Sequence, residues 1–192
     1  MIDWMWDKTA AVANLWMFLA VLAVSLVFTF VLFPRSAKNY PLKPAVAGKP
    51  PVRVGTLDGQ FAGYSPSDVE PKFKELGDDG LDAYFSQEWK LDLVFPWVYA
   101  LLLAIPIVWI GQTTAAPRWL VLFPFLAALF DYVENLTAMA MIRAWQKTGA
   151  VPYALKVVGS IGSRGKWVCI WISMAALLWV LVLRIARRPV SD

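Results

Sequence analysis

An all-α membrane protein with four transmembrane helices in a bundle is the fold class this sequence predicts, on three observations. First, 59% of the 192 residues are hydrophobic and only 17% charged, against roughly a quarter charged in soluble domains. Second, the apolar residues are gathered into four blocks, each near the ~20 residues needed to cross ~30 Å of hydrocarbon. Third, many of the eleven Trp sit near block ends (Trp6, Trp16, Trp89, Trp97, Trp119, Trp145 and Trp167), as an aromatic belt at headgroup level requires. The expected organisation is a single membrane domain over 1–192, with spans at about 10–33, 91–110, 119–142 and 167–183. An extramembrane loop subdomain occupies 34–90.

The first span, AAVANLWMFLAVLAVSLVFTFVLF, carries no charge. It is longer than a signal-peptide core and no small-x-small cleavage site follows closely, so it reads as a retained anchor. The loop begins with the Pro-rich stretch NYPLKPAVAGKPPVRV, expected to be extended. Ser65, Pro66 and Asp68 supply an N-cap, a first-turn Pro and a capping-box acid, predicting a short helix from Pro66 to Leu76 that Gly77 stops. Beyond it, Leu81, Phe85 and Trp89 recur every four residues and predict an amphipathic helix that lies on the membrane or runs into span two. The short connection Gly111–Arg118 makes spans two and three antiparallel neighbours. Thr148–Pro152 (TGAVP) is a compact turn, and YALKVVGSIGSRGK after it has the option of belonging to the fourth helix. The basic residues Arg184, Arg187 and Arg188 abut the end of span four. They suit anionic headgroups and favour cytoplasmic termini.

Composition excludes several chemistries. There is no histidine and one cysteine, Cys169. That removes His-ligated haem or zinc, His acid–base catalysis, an internal disulfide and a multi-thiol relay. Charges of both signs alternate in the loop, and no basic run with interleaved aromatics points to nucleic acid. GSIGSRGK lacks phosphate-loop spacing. Its Gly159, Gly162 and Gly165 instead suit close helix packing or a kink. Asp78–Asp82 (DDGLD) has too few acids at calcium-loop spacing. No cofactor, metal site or catalytic residue is therefore expected.

FDYVENLTAMA in span three contains the unusual residues. An Asp at the centre of a spanning helix costs about 2.5–3.5 kcal/mol on insertion scales, so it normally faces the bundle and has partners. Asp131, Glu134 and Asn135 are three and four residues apart and share one helix face. A turn over Thr148–Pro152 sets Glu134 level with Gly165–Lys166 and Arg164 level with Asn135–Leu136. A turn near Ala115 sets Asp131 opposite Tyr99. The expected polar pocket is thus Asp92, Tyr99, Asp131, Glu134, Asn135, Arg164 and Lys166, opening towards the long loop. Three roles stay open for it: fixing helix register; binding a lipid headgroup, cation or polar small molecule; or moving protons through a desolvated carboxylate.

Three blocks in order, GYSPSDVEPKFKELGDDGLDAYF, LDLVFPWVYALLLA and LFDYVENLTAMAM, make the chain resemble a group of uncharacterised bacterial four-span membrane proteins. The likeness covers roughly residues 63–141; the first and fourth spans match only in hydrophobicity. It implies that the Gly-Tyr-Ser-Pro motif, Asp92 before Phe95-Pro96, Tyr99 and Asp131-x-x-Glu134-Asn135 are the group's marks. Where members often have Gly-Arg, this chain has Gly80-Leu81. The resemblance implies an architecture and not an activity. The functional expectation is a non-enzymatic, multi-pass protein of the bacterial inner membrane. As an accessory or scaffold subunit, it would bind membrane lipids, a partner membrane protein or a second copy through its loop and polar pocket. The alternative is a small membrane enzyme or transporter using Asp131 and Glu134 to handle protons or cations.

Overall fold

A computed structural model describes residues 1–43, 51–114 and 116–186. Residues 44–50 of the Pro-rich stretch, Ala115, and Arg187 and Arg188 of the basic C-terminal cluster lie outside these residues. The described chain is helical, with one isolated antiparallel bridge between Leu42 and Arg53.

Helix α1 (Ile2–Val12) precedes the first apolar block and ends before Asn14, whose side chain accepts from Met17 N at 2.9 Å and caps the next helix. Helix α2 (Leu15–Val27) continues through a π-helical turn, Phe28–Leu32, into α3 (Phe33–Ala37). The π turn directly precedes Pro34, which has no N–H to give to the helical ladder and whose ring crowds it. The first long apolar helix is therefore Leu15–Ala37 rather than 10–33. Its start is set by the Asn14 cap, and it runs past the first Pro.

The capping box forms at Ser65 and Asp68, and Pro66–Asp68 is a 3-10 turn leading into α4 (Val69–Lys90). Gly77, at φ 64°, breaks the helical geometry without ending it, and the chain resumes helix at once. Of the Leu81/Phe85/Trp89 stripe, Leu81 is buried and Phe85 is half-buried against the same core. The buried face turns from Trp89, which is exposed, to Tyr84, Gln87 and Glu88. Four residues after α4, α5 (Phe95–Gly111) starts with Pro96 in its first turn.

A 3-10 turn, Arg118–Val121, leads into α6 (Leu122–Thr148), which ends at Gly149 in the left-handed conformation (φ 72°). Helix α7 (Tyr153–Ala186) absorbs the whole YALKVVGSIGSRGK segment. At 34 residues it is about 50 Å long, well beyond the bilayer core.

Three helices are long and apolar enough to cross a membrane: Leu15–Ala37, Arg118–Thr148 and Tyr153–Ala186. The bent pair Pro66–Lys90 and Phe95–Gly111, angled at 49°, is a fourth if it counts as one span. The surplus length of α6 and α7 is used by the loop. Tyr64, Val69, Phe73, Leu76, Leu81 and Tyr84 form one core with Ala138, Met141 and Ile142 of α6 and Val151 of the turn. The loop is thus a packed cap on the ends of α6 and α7. Trp6 is not a belt residue. It is buried in a second cluster with Ala104, Val108 and Val121, against Gly111, where a Cβ would stand 2.7 Å from its ring.

Candidate functional site: a cavity between two acidic groups

Close approach of α6 and α7 comes first, because it places the charged side chains. A Cβ on Gly162 would lie 2.9 Å from Glu134 N and 3.0 Å from Phe130 O, and one on Gly165 would enter the Phe130 ring. Only glycine lets the two backbones meet this closely. Lys166, one residue beyond, then reaches across to both acids of α6. Its Nζ stands 2.5 Å from Glu134 Oε2 and donates to Asp131 Oδ1 at 3.1 Å. All three side chains are buried. Neither Glu134 oxygen has an aligned hydrogen bond, so that contact is an ion pair.

Asn135 completes the α6 face. Its Nδ2 donates to the Asp92 carbonyl at 2.7 Å, and Tyr132 Oη donates to the Leu93 carbonyl at 2.6 Å. These two bonds hold the Leu91–Val94 break by satisfying the Asp92 and Leu93 carbonyls, which take no backbone donor there. Asp92 itself is buried. Its Oδ2 accepts from Gln87 Nε2 at 3.2 Å, and Gln87 Oε1 accepts from Tyr40 Oη at 3.0 Å. Tyr99 shares a cavity wall with Asp131, its hydroxyl buried and outside hydrogen-bond geometry.

Six of the seven residues proposed from sequence therefore come together. Arg164 does not. It lies on the exposed face of α7 and donates from Nη2 to Ser65 Oγ at 3.0 Å. The reason is angular: Arg164 and Lys166 are two positions apart, about 200° around the helix, and cannot both face α6. Arg164 instead seats the Gly-Tyr-Ser-Pro motif, and Gly63, at φ 73°, presses against its backbone. Asp131 and Glu134 lie near the middle of the apolar helix Arg118–Thr148, about one turn before its first cap-packed residue, Ala138.

Sequence reasoning missed Asp58 and Glu88. Oxygens of Asp58, Glu88 and Asp92 all lie within 4.8 Å of one another. Glu88 is fully buried and neither of its oxygens has a hydrogen-bond partner. The four-residue spacing of Glu88 and Asp92 is a signal for one shared face. Nothing local in TLDG marks Asp58, which reaches the group only because the loop folds back.

Both groups border one cavity of about 670 Å³, within the range of small-molecule sites. Asp58, Gln87, Asp92, Asp131 and Lys166 line its cap end. Phe33, Phe95, Leu102, Leu103 and Ile170 line its deeper part, between Leu15–Ala37, α5 and α7. Phe95 to Leu103 alone covers about 12 Å along α5. The loop's own seams are half-buried to exposed ion pairs. Lys156 bonds Glu70 at 2.6 Å, and with Val151 N it holds that carboxyl below its ordinary range. Lys43 and Lys72 do the same for Glu75.

The chain matches no protein-family model, no curated protein and no solved structure. Function must be argued from the cavity.

Proposed function

We propose that this is a four-span, multi-pass protein of the bacterial inner membrane, of the group it resembles, that binds one membrane amphiphile between its helices and its loop cap. The bent pair α4–α5 serves as the second span, and the termini are cytoplasmic. The observation that carries the reading is the two-ended cavity: charged and amide groups at the cap, then an apolar wall running into the helices. A headgroup suits the first and an acyl or isoprenoid chain the second, since an amphiphile needs both at once. The polar end stands about one turn from Ala138, where the cap begins on α6, and in this reading the headgroup lies against the cap.

The role is binding rather than turnover. Lys166 contacts both acids of α6 directly, which supports holding helix register over proton or cation movement by Asp131 and Glu134. Among the described residues no hydroxyl lining the cavity hydrogen-bonds a lining carboxylate or lysine, as a nucleophile and its base would. The loop, packed on α6 and α7, acts as the lid of the site.

The test is native mass spectrometry of the full chain released from mild detergent, wild type against Leu103→Trp, which fills the apolar end. The wild type should retain one amphiphile per chain and the variant should lose it while staying folded. Equal retention in both, or none in the wild type, contradicts the reading.

A further inference from the structure

We propose that Asp58, Glu88 and Asp92 bind one hard divalent cation at the cap end of the cavity. The three side chains come from the loop, the last turn of α4 and the α4–α5 break, and their oxygens converge within 4.8 Å. Oxygens bound at 2.3–2.6 Å on opposite sides of a calcium ion stand about 5 Å apart, so the group closes on a cation with side-chain adjustment alone.

The independent observation is Glu88. It is 0% exposed, aimed into the group, and unpartnered at both oxygens. A fully buried carboxylate without a hydrogen bond or counter-charge is among the most costly groups a protein can hold. Among the described residues no Lys or Arg forms an ion pair with Asp58, Glu88 or Asp92. The two cations nearest in the cavity wall are committed: Lys166 to Asp131 and Glu134, and Arg53 to the Tyr40 carbonyl at 2.7 Å.

The site is also pre-set. Gln87, itself held by Tyr40, fixes Asp92 Oδ2, and Asn135 fixes the Asp92 backbone. Such outer partners orient metal-binding carboxylates. An all-carboxylate donor set selects Mg²⁺, Mn²⁺ or Ca²⁺ over softer ions. Glu88 lies behind the cavity wall, whereas Asp58 and Asp92 line it. The remaining coordination positions therefore face the cavity, where phosphate or carboxylate oxygens of a headgroup would complete them. That last step rests on the amphiphile reading; the cation does not.

The experiment is Mn²⁺ titration followed by electron paramagnetic resonance. It uses chelator-treated full chain in mild detergent and three proteins: wild type, Glu88→Gln and Leu103→Trp. One Mn²⁺ per chain is expected in the wild type, displaced by excess Ca²⁺ or Mg²⁺. Glu88→Gln should weaken it at least about tenfold, while Leu103→Trp keeps it even if its amphiphile is lost. If Glu88→Gln does not fold, Asp58→Asn, at a half-buried loop position, must show the same weakening. No bound Mn²⁺ in the wild type, or unchanged affinity in the folded carboxamide variant, overturns the proposal. An amphiphile lost from Leu103→Trp together with absent Mn²⁺ would sink the cation alone and leave the cavity reading standing.

Discussion

Two groups of acids border the cap end of one cavity, and they are compensated differently. Asp131 and Glu134, on α6, share Lys166, which α7 brings within 3.1 Å of both. Asp58, Glu88 and Asp92, under the cap, have no lysine or arginine of their own among the described residues. Where the chain supplies a cation, the carboxylates bridge two helices, α6 and α7. Where it does not, burial remains costly unless protons or an outside cation supply the balance. Acid content alone therefore does not separate a structural site from a binding one; the location of the compensating charge does.

The largest effect that can break this contrast is Lys166→Met. It strands Asp131 and Glu134 without a partner and should cost about 3–5 kcal/mol, read as lost folded yield or a lower unfolding temperature in detergent. Neutralising all three positions together (Asp131→Asn, Glu134→Gln, Lys166→Met) should recover most of that loss. If Lys166→Met is silent, the ion pair does not hold the helices.

Next comes Gly162→Val. Its side chain would meet backbone atoms of Phe130 and Glu134, which cannot swing aside. The overpacking should cost about 3 kcal/mol in unfolding experiments. Smaller again is Asn135→Leu, which removes the donor to the buried Asp92 carbonyl. A loss of about 1–2 kcal/mol is expected, together with weaker Mn²⁺ retention because Asp92 is no longer held.

The smallest effect is at the cap seam. Lys156 holds the folded Glu70 carboxyl below its ordinary value of 4.5. Its contribution is therefore complete above pH 4.5 and disappears as pH falls through the lowered folded value. Glu70→Gln should lower the unfolding temperature slightly at pH 7, less so in high salt, and not at all in strong acid. A deficit that persists in acid would mean that packing, not charge, is lost.

The α6–α7 half was legible because a compact Thr148–Pro152 turn fixes register, and register alone pairs Glu134 with Lys166. Level along the helix does not by itself place Arg164, which the angle around α7 turns away from α6 and towards Ser65. The α4 half was largely illegible. Leu81, Phe85 and Trp89 form an acceptable apolar stripe, but Glu88 beside it gives no local sign that a carboxyl will be buried there. Packing kept Leu81 and part of Phe85 but buried Tyr84 and Glu88 in place of Trp89, through contacts from a loop whose fold leaves no periodic signal. Asp58 depends on that same long-range packing. Trp6 likewise read as a belt residue, because Gly111, more than a hundred positions away, gives no hint that it makes room for an indole.

The most direct test of the central contrast is the unfolding temperature in detergent, measured with Mn²⁺ and with chelator. The proteins are the wild type, Glu88→Gln and the neutral triple variant at 131, 134 and 166. The account predicts that Mn²⁺ raises the midpoint of the wild type and of the triple variant but not of Glu88→Gln, and that Glu88→Gln is at least as stable as the wild type in chelator. A Mn²⁺ shift that survives Glu88→Gln, or that vanishes only in the triple variant, would place the cation with the wrong group of acids and contradict it.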